Sequence, residues 1–223
     1  MASQDGNQRQ ITCKGKEYLD RTAKVLTEAF VGDPVFTWLL QDYSLTEQEP
    51  VLYKFIHALL TAGALNNAMF AEIDNFGCCC VLMPPGKRVD NPWTMIPAGI
   101  IPALFSIGFG GFRYSNVTHD MHAKVFTKAE QKKHWYLFIM GTSLSRRRQG
   151  LASELLVYAQ NQARNDGRPI WLEATTGVSR DLYLKHGFTT VSEVILGKGK
   201  VGSDGLPRKG GEGVTIWLMF WRP

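Results

Sequence analysis

Arg146, Arg147, Arg148, Gln149, Gly150, Leu151 and Ala152 bring together the charge and the slim backbone that an anion needs. Ahead of them, residues 137–140 are apolar on both faces, as in a strand covered on both sides. Behind them Leu151, Leu155, Ala159 and Ala163 recur every four residues, which is one face of a helix. A strand, a basic glycine turn and a helix start can hold a phosphate. The first N–H groups of a helix have no intrahelical partner, and the helix dipole favours an anion there by about 0.3–1 kcal/mol. Gly150 and Ala152 keep the turn narrow enough for the anion to reach the backbone. A desolvated charge-assisted bond from an arginine adds roughly 1.5–3 kcal/mol, so two of them outweigh the dipole. The same residues also suit an ordinary strand-to-helix turn with solvated arginines, and one of the three is expected to be solvated.

Other side chains offer acid–base or binding chemistry with less specificity. Glu173 ends a strand-like run, 170–174, where sites gather in α/β sheets. It suits a general base, acting directly or through a water, and equally a paired structural carboxylate. Asp33 precedes Pro34 and is either a contact for a cationic acceptor or a helix-stop device. Trp38 and Trp135 are candidates to line an acceptor pocket, with core packing as the alternative. There is no Gly-x-Ser-x-Gly elbow, no His-Glu-x-x-His and no full Walker loop. His119 and His122 lie three apart without a third ligand candidate, so no metal is expected. Residues 197–202 are loosely like a nucleotide fingerprint, but no helix follows them, and a flexible basic loop is expected.

Two patterns extend this reading. Arg147 through Ala152 fits Gln/Arg-x-x-Gly-x-Gly/Ala, and Leu182, Tyr183, Gly187 and Phe188 fit the end of Asn-x-x-Ala-x-x-Leu-Tyr-x-x-x-Gly-Phe. In this order and at this separation they are motifs of the Gcn5-related N-acetyltransferase (GNAT) superfamily, and the chain resembles a small-molecule member of it. The resemblance is densest over residues 135–188 and looser over 29–39. It implies acetyl-CoA as cofactor, with the pyrophosphate on the backbone from Arg148 to Ala152. It implies that the pantetheine arm pairs with a strand edge at Gly141, Thr142 and Leu144. Ser179 is read where the family has asparagine, as a candidate cofactor contact. Tyr183 matches the family's tyrosine acid, because a phenol with a pKa near 10 is neutral and can protonate a departing thiolate; a core tyrosine is the alternative. The implied activity is acetyl transfer to the amine of a small molecule by direct attack. A peptide or protein amine is the alternative acceptor, and a non-catalytic acyl-CoA-binding sensor or interaction domain is the alternative of another class.

The elements needed to place these groups can be read from periodicity. Leu19, Ala23, Leu26 and Phe30 mark a helix over 16–30, stopped at Gly32, Asp33 and Pro34. A short helical turn follows over 35–40. Thr46 and Glu49 have capping-box spacing, with Pro50 in the first turn of a helix running to about Asn66. Residues 69–73 and 76–83 read as a hairpin about Asp74 and Asn75. Then come one or two bent helices over 90–114, a polar helix over 115–131, the central strand, turn and helix, the strand 169–174, the tyrosine helix, and strands over 188–196 and 214–221. The expected fold is mixed α/β and GNAT-like, with a central twisted sheet of about six to seven strands and flanking helices. One domain is expected over 11–223, with a cofactor core at about 134–188 and an apolar helical insertion at about 91–114.

Composition bounds the rest. A hydrophobic share of 44% and a charged share of 20% are those of a soluble globular protein. The net charge of +5 suits an anionic ligand but does not argue for nucleic acid. Cys78, Cys79 and Cys80 are consecutive and do not make a normal disulfide framework, so buried thiols in a reducing compartment are expected. Residues 1–10 are polar and read as a disordered tail, not a signal peptide. The uncharged run 95–111 is broken by Pro97 and Pro102, which disfavours a membrane span and favours a cover over the acceptor site. The expected partners are a small-molecule amine, with neither nucleic acid nor membrane, for a cytoplasmic monomer or homodimer.

Overall fold

The computed structural model describes residues 9–99 and 133–223. The expectations for the tail through residue 8, for most of the 91–114 insertion, for the helix at 115–131 and for His119 and His122 lie outside these residues.

The chain runs β1 (Ile11–Lys14), a 3-10 turn (Lys16–Tyr18), α1 (Leu19–Phe30), α2 (Pro34–Leu39), α3 (Leu45–Leu65), β2 (Met69–Ile73), β3 (Cys78–Met83) and α4 (Pro92–Met95). It resumes with β4 (Trp135–Thr142), a second 3-10 turn (Leu144–Arg146), α5 (Leu151–Asn165), β5 (Ile170–Ala174), α6 (Gly177–Lys185), β6 (Thr189–Leu196) and β7 (Val214–Trp221). The strands form one seven-stranded sheet in the order β1-β2-β3-β4-β5-β7-β6. Among the described residues only β4 and β5 are parallel neighbours.

Helices cover both faces. On one, Leu151, Leu155, Leu156, Ala159 and Ala163 of α5 pack with Cys78, Cys80, Leu137 and Leu172. Fully burying each of those leucines is worth about 1.5–3 kcal/mol. On the other, Ala23 and Leu26 of α1 meet Ile56 and Leu60 of α3, with Phe70 and Val81 beneath them. Under β6 and β7, Val35 and Trp171 join Ile216 and Leu218.

The strand β4 departs from regular alternation. Its pairing with β3 advances from Val81↔Ile139 to Leu82↔Leu137, which leaves Phe138 as an extra residue. Phe138 and Ile139 therefore both pack on the α1/α3 side, whereas Leu137 and Met140 face α5. A bulge bends its strand and disrupts the ladder locally. Just before it, pairing with β5 stops: the rungs are Trp135↔Ile170 and Tyr136↔Trp171. From Leu137 to Thr142 the β5 side of β4 carries no ladder to β5, and the sheet opens into a slot. Gly141 lets α1 lie close to the sheet, since a Cβ there would stand 2.9 Å from the Cβ of Ala29 and 3.0 Å from Leu26.

Several local expectations are corrected. The cap of α3 is Ser44, not Thr46, because Glu47 accepts from the Ser44 N–H at 3.0 Å and from its hydroxyl at 2.6 Å. Pro50 thus sits inside the helix, at an exposed position where water can serve the carbonyl it leaves unpaired. The hairpin turn is longer than two residues. Asp74, Asn75 and Phe76 all have positive φ, and Glu72 accepts from the Phe76 N–H at 2.6 Å, so β3 begins at Cys78. β1 had no counterpart in the periodicity. The 197–213 loop makes defined contacts: Val201 bridges Pro207, and Gly205 seats against the carbonyl of Pro34.

The thiols are core residues. Cys78 and Cys80 face α5, Cys79 faces the other way, and all three are fully buried. Burial pushes the Cys78 thiol up to about 11 and those of Cys79 and Cys80 further. Among the described residues, no helix is long and apolar enough to cross a membrane.

Candidate active site

The slot between β4 and β5 opens into one cavity that reaches both faces of the sheet. Its walls include the β4 edge from Tyr136 to Thr142, the turn from Arg146 to Ser153, Glu173 and Thr175 of the β5 end, and Ser179 and Tyr183 of α6. On the α1/α3 side it continues past Phe30, Asp33, Phe36, Phe55 and Phe138.

At the α5 end the backbone has the form of an anion cradle. Gly150 is the N-cap, in the left-handed region at φ +82°, and no side chain caps the helix. The first intrahelical bond runs from the Glu154 N–H to the Gly150 carbonyl. The N–H groups of Leu151, Ala152 and Ser153 are therefore left at the helix mouth. A Cβ at Gly150 would meet nothing within 4 Å, so conformation and ligand approach require the glycine, not packing. Arg148 also has positive φ, +62°, which costs about 1–2 kcal/mol in a residue with a Cβ. The strain is borne at the turn that faces the cavity.

The three arginines divide. Arg146 bonds Gln149 at 3.2 Å and pairs with Asp74, which belongs to the β2–β3 turn. Arg147 donates to the Ala29 carbonyl at 2.9 Å. Arg148 makes no hydrogen bond or ion pair among the described residues. All three still line the cavity. Leu151 turns its side chain into the core, while Ala152 is half-buried at the helix start.

Two acid–base candidates enter the slot from opposite faces. Tyr183 comes from α6 on the α5 side, almost wholly buried, with its ring 5.6 Å from that of Phe188. Its hydroxyl has no hydrogen-bond partner among the described residues. Burial, then the neighbouring Cys78, Cys80 and Glu173, raise its pKa well above the ordinary phenol. It stays protonated at physiological pH and so carries a proton to give. Glu173 comes from β5 on the α1/α2 side. Its carboxylate accepts from the Tyr136 hydroxyl at 2.7 Å and from the Trp171 indole at 2.6 Å. Burial raises its pKa, and those two bonds offset part of the rise. Asp33 is a third group in the cavity. It caps α2 by accepting from Val35 at 2.9 Å and accepts from Thr175 at 2.7 Å, and burial raises its pKa too.

Four of the expected site residues sit elsewhere or do other work. Trp38 packs beneath the 197–213 loop with the β6–β7 core and does not line the cavity. Trp135 donates to Asp166 at 2.9 Å, at the closed end of β4. Leu144 lies beyond the strand in a 3-10 turn, and its N–H goes to Glu28 at 2.8 Å, so it is not on the open edge with Gly141 and Thr142. Ser179 lines the cavity but is the third residue of a capping box with Thr176. Counting back from Leu182 and Tyr183, Thr176 and not Ser179 stands at the asparagine of the pattern. Tyr136, Thr175 and the wall of phenylalanines were not singled out from sequence.

Both motifs fall within the stretch, residues 106–188, that matches the family described as "Acetyltransferase (GNAT) family". Over that stretch the chain is similar to the GNAT acetyltransferases. An uncharacterized N-acetyltransferase of Schizosaccharomyces pombe is 23% identical over 188 residues, which cover 82% of this chain and 75% of the relative. Among solved structures, a Corynebacterium glutamicum protein described as "histone acetyltransferase HPA2 and related acetyltransferase" is 19% identical, covers 96% of each chain and has a TM-score of 0.64. Arylalkylamine N-acetyltransferase 2 from Aedes aegypti is 17% identical over 97% of this chain and 99% of its own, with a TM-score of 0.62. Likeness to these solved structures at that identity is one of fold.

Proposed function

We propose that this protein is a GNAT enzyme that transfers the acetyl group of acetyl-CoA to the amine of a small molecule with an apolar or aromatic body. The observation that carries the reading is the slot itself, which joins an anion cradle to two acid–base groups and then to an aromatic chamber. The residues present fit acetyl-CoA. The helix-mouth N–H groups of Leu151, Ala152 and Ser153, with Arg148 beside them, suit a pyrophosphate. The unladdered β4 edge, Leu137 to Thr142, suits an extended arm that adds to a sheet.

When bound, acetyl-CoA supplies a thioester carbonyl open to attack and a thiolate leaving group. The chain supplies the proton traffic. An alkylammonium, with a pKa near 10.4, must lose a proton before it can attack. Glu173 takes that proton, directly or through a water, and its raised pKa makes it a better acceptor than an ordinary carboxylate. Asp33 offers a second negative group to hold the cation beforehand. Tyr183, on the opposite face of the slot, gives its proton to the sulfur. Phe30 and Phe36 stack edge to face at 5.2 Å, Phe36 and Phe55 at 6.4 Å, and with Phe138 they suit the apolar body of an acceptor.

The test is thiol release from acetyl-CoA over a panel of amines. Turnover is expected with arylalkyl amines such as 2-phenylethylamine and tyramine ahead of small hydrophilic amines. Turnover confined to peptide amines would replace this acceptor class. Acetyl-CoA binding without turnover on any amine would leave the sensor reading in its place.

A further inference from the structure

We propose that Tyr136 and Trp171 are the positioning residues of Glu173, one donor from each strand of the last rung before the slot, which together aim its carboxylate into the opening. The proposal rests on the reading of Glu173 as the base.

Tyr136 and Trp171 are register partners on the parallel pair, so their side chains leave the sheet on the same face. Glu173 is two residues beyond Trp171 and shares that face. Each of its oxygens takes one side-chain donor, Oε2 from Tyr136 and Oε1 from Trp171. No lysine, arginine or histidine forms an ion pair with it among the described residues. This choice of partners has a chemical meaning. A guanidinium on Glu173 would lower its proton affinity strongly and spoil a base, whereas two neutral donors fix its direction and offset only part of the rise that burial causes. Trp171 is fully buried and the Tyr136 ring packs 5.7 Å from Phe138, so neither donor can swing away freely. The other titratable groups around the cavity on this side are Asp33 from the α2 cap, His134 before β4, and Lys87, Arg88 and Asp90 before α4; Tyr183 faces from α6. Arg88 is bonded to Asp90, at 2.6 Å.

The experiment is a titration of the Glu173 carboxyl carbon in protein labelled with 13C-glutamate, the resonance being assigned by its loss in Glu173→Gln. Tyr136→Phe keeps the ring and removes one donor to the charged form. The Glu173 midpoint should rise by about one unit or more. The acid limb of kcat/KM should move up with it, with acetyl-CoA affinity and melting temperature little changed. A merely structural tyrosine would lower the rate equally at all pH. A folded Tyr136→Phe whose Glu173 midpoint stays at the wild-type value overturns the proposal. If the midpoint moves but Glu173→Gln turns over at the wild-type rate, the base reading fails and the catalytic role of the two donors falls with it. Trp171→Phe, provided it melts cooperatively, should reproduce the shift; a second unmoved midpoint would confirm the refutation.

Discussion

Gly205, in the loop joining β6 to β7, lies against the carbonyl of Pro34, the first residue of α2. A Cβ there would overlap that oxygen and come within 2.9 Å of the Trp38 nitrogen, and the φ of +81° already disfavours any other residue. The residue before Pro34 is Asp33, whose carboxylate lines the slot. Gly205→Ala should lower stability by about 2 kcal/mol or more. In whatever folds, KM for the amine should rise and acetyl-CoA affinity should hold, since the cradle lies on the other face. Thermal melting, calorimetric titration and steady-state kinetics together read this. An unchanged amine KM would detach α2 from the acceptor site.

Gly150→Asp should abolish acetyl-CoA binding in a protein that still folds. There is open space for the new side chain, and aspartate tolerates the left-handed conformation better than most residues. Its charge, however, would stand where the cradle receives a phosphate. Calorimetric titration decides it: wild-type affinity in the variant would remove the cradle from the site.

Tyr183→Phe keeps the contact with Phe188 and removes the hydroxyl. Turnover should fall by about 10² or more with acetyl-CoA affinity unchanged. Because burial raises the Tyr183 pKa, wild-type turnover should show no alkaline fall at the ordinary phenol pKa near 10 from loss of this proton. Normal turnover in the variant would make the tyrosine a packing residue.

The three consecutive thiols predict an alkaline weakness. In the folded state they hold their protons beyond the ordinary thiol value of 9.0, Cys78 to about 11. An unfolded chain releases those protons from about pH 9 upward. Their contribution is therefore whole below pH 9 and is lost as pH rises through the folded values. The melting temperature should fall steeply between about pH 9 and 11, and iodoacetamide should reach at most Cys13 in the native protein. Rapid labelling of Cys78–Cys80 under native conditions would contradict the burial.

What could be read from the sequence was local. The cradle needs only a strand, a glycine turn and a helix start in succession, and Tyr183 sits in a helix with its own terminal glycine. Relations across the sheet were out of reach. Nothing near Tyr136 says that its strand neighbour is Trp171, and nothing near Gly205 says that it will meet Pro34. Trp38 and Trp135 were ambiguous because an indole fits a core and a pocket equally well, and the partners that settled the matter, the 197–213 loop and Asp166, are distant in the chain. Ser44 and Thr46 both head a box ending in glutamate, and the backbone N–H of Ser44 chose between them.

The extra residue in β4 has one more consequence. Because Phe138 shares its place in the ladder with Ile139, removing Phe138 alone would leave every other residue of the strand on its present face, with Gly141 still beneath α1 and Met140 still beneath α5. The bend would go, and with it the Phe138 ring that packs on the α1/α3 core and against Tyr136. Such a deletion keeps the alternation of the strand and asks of the slot alone whether the bend holds it open.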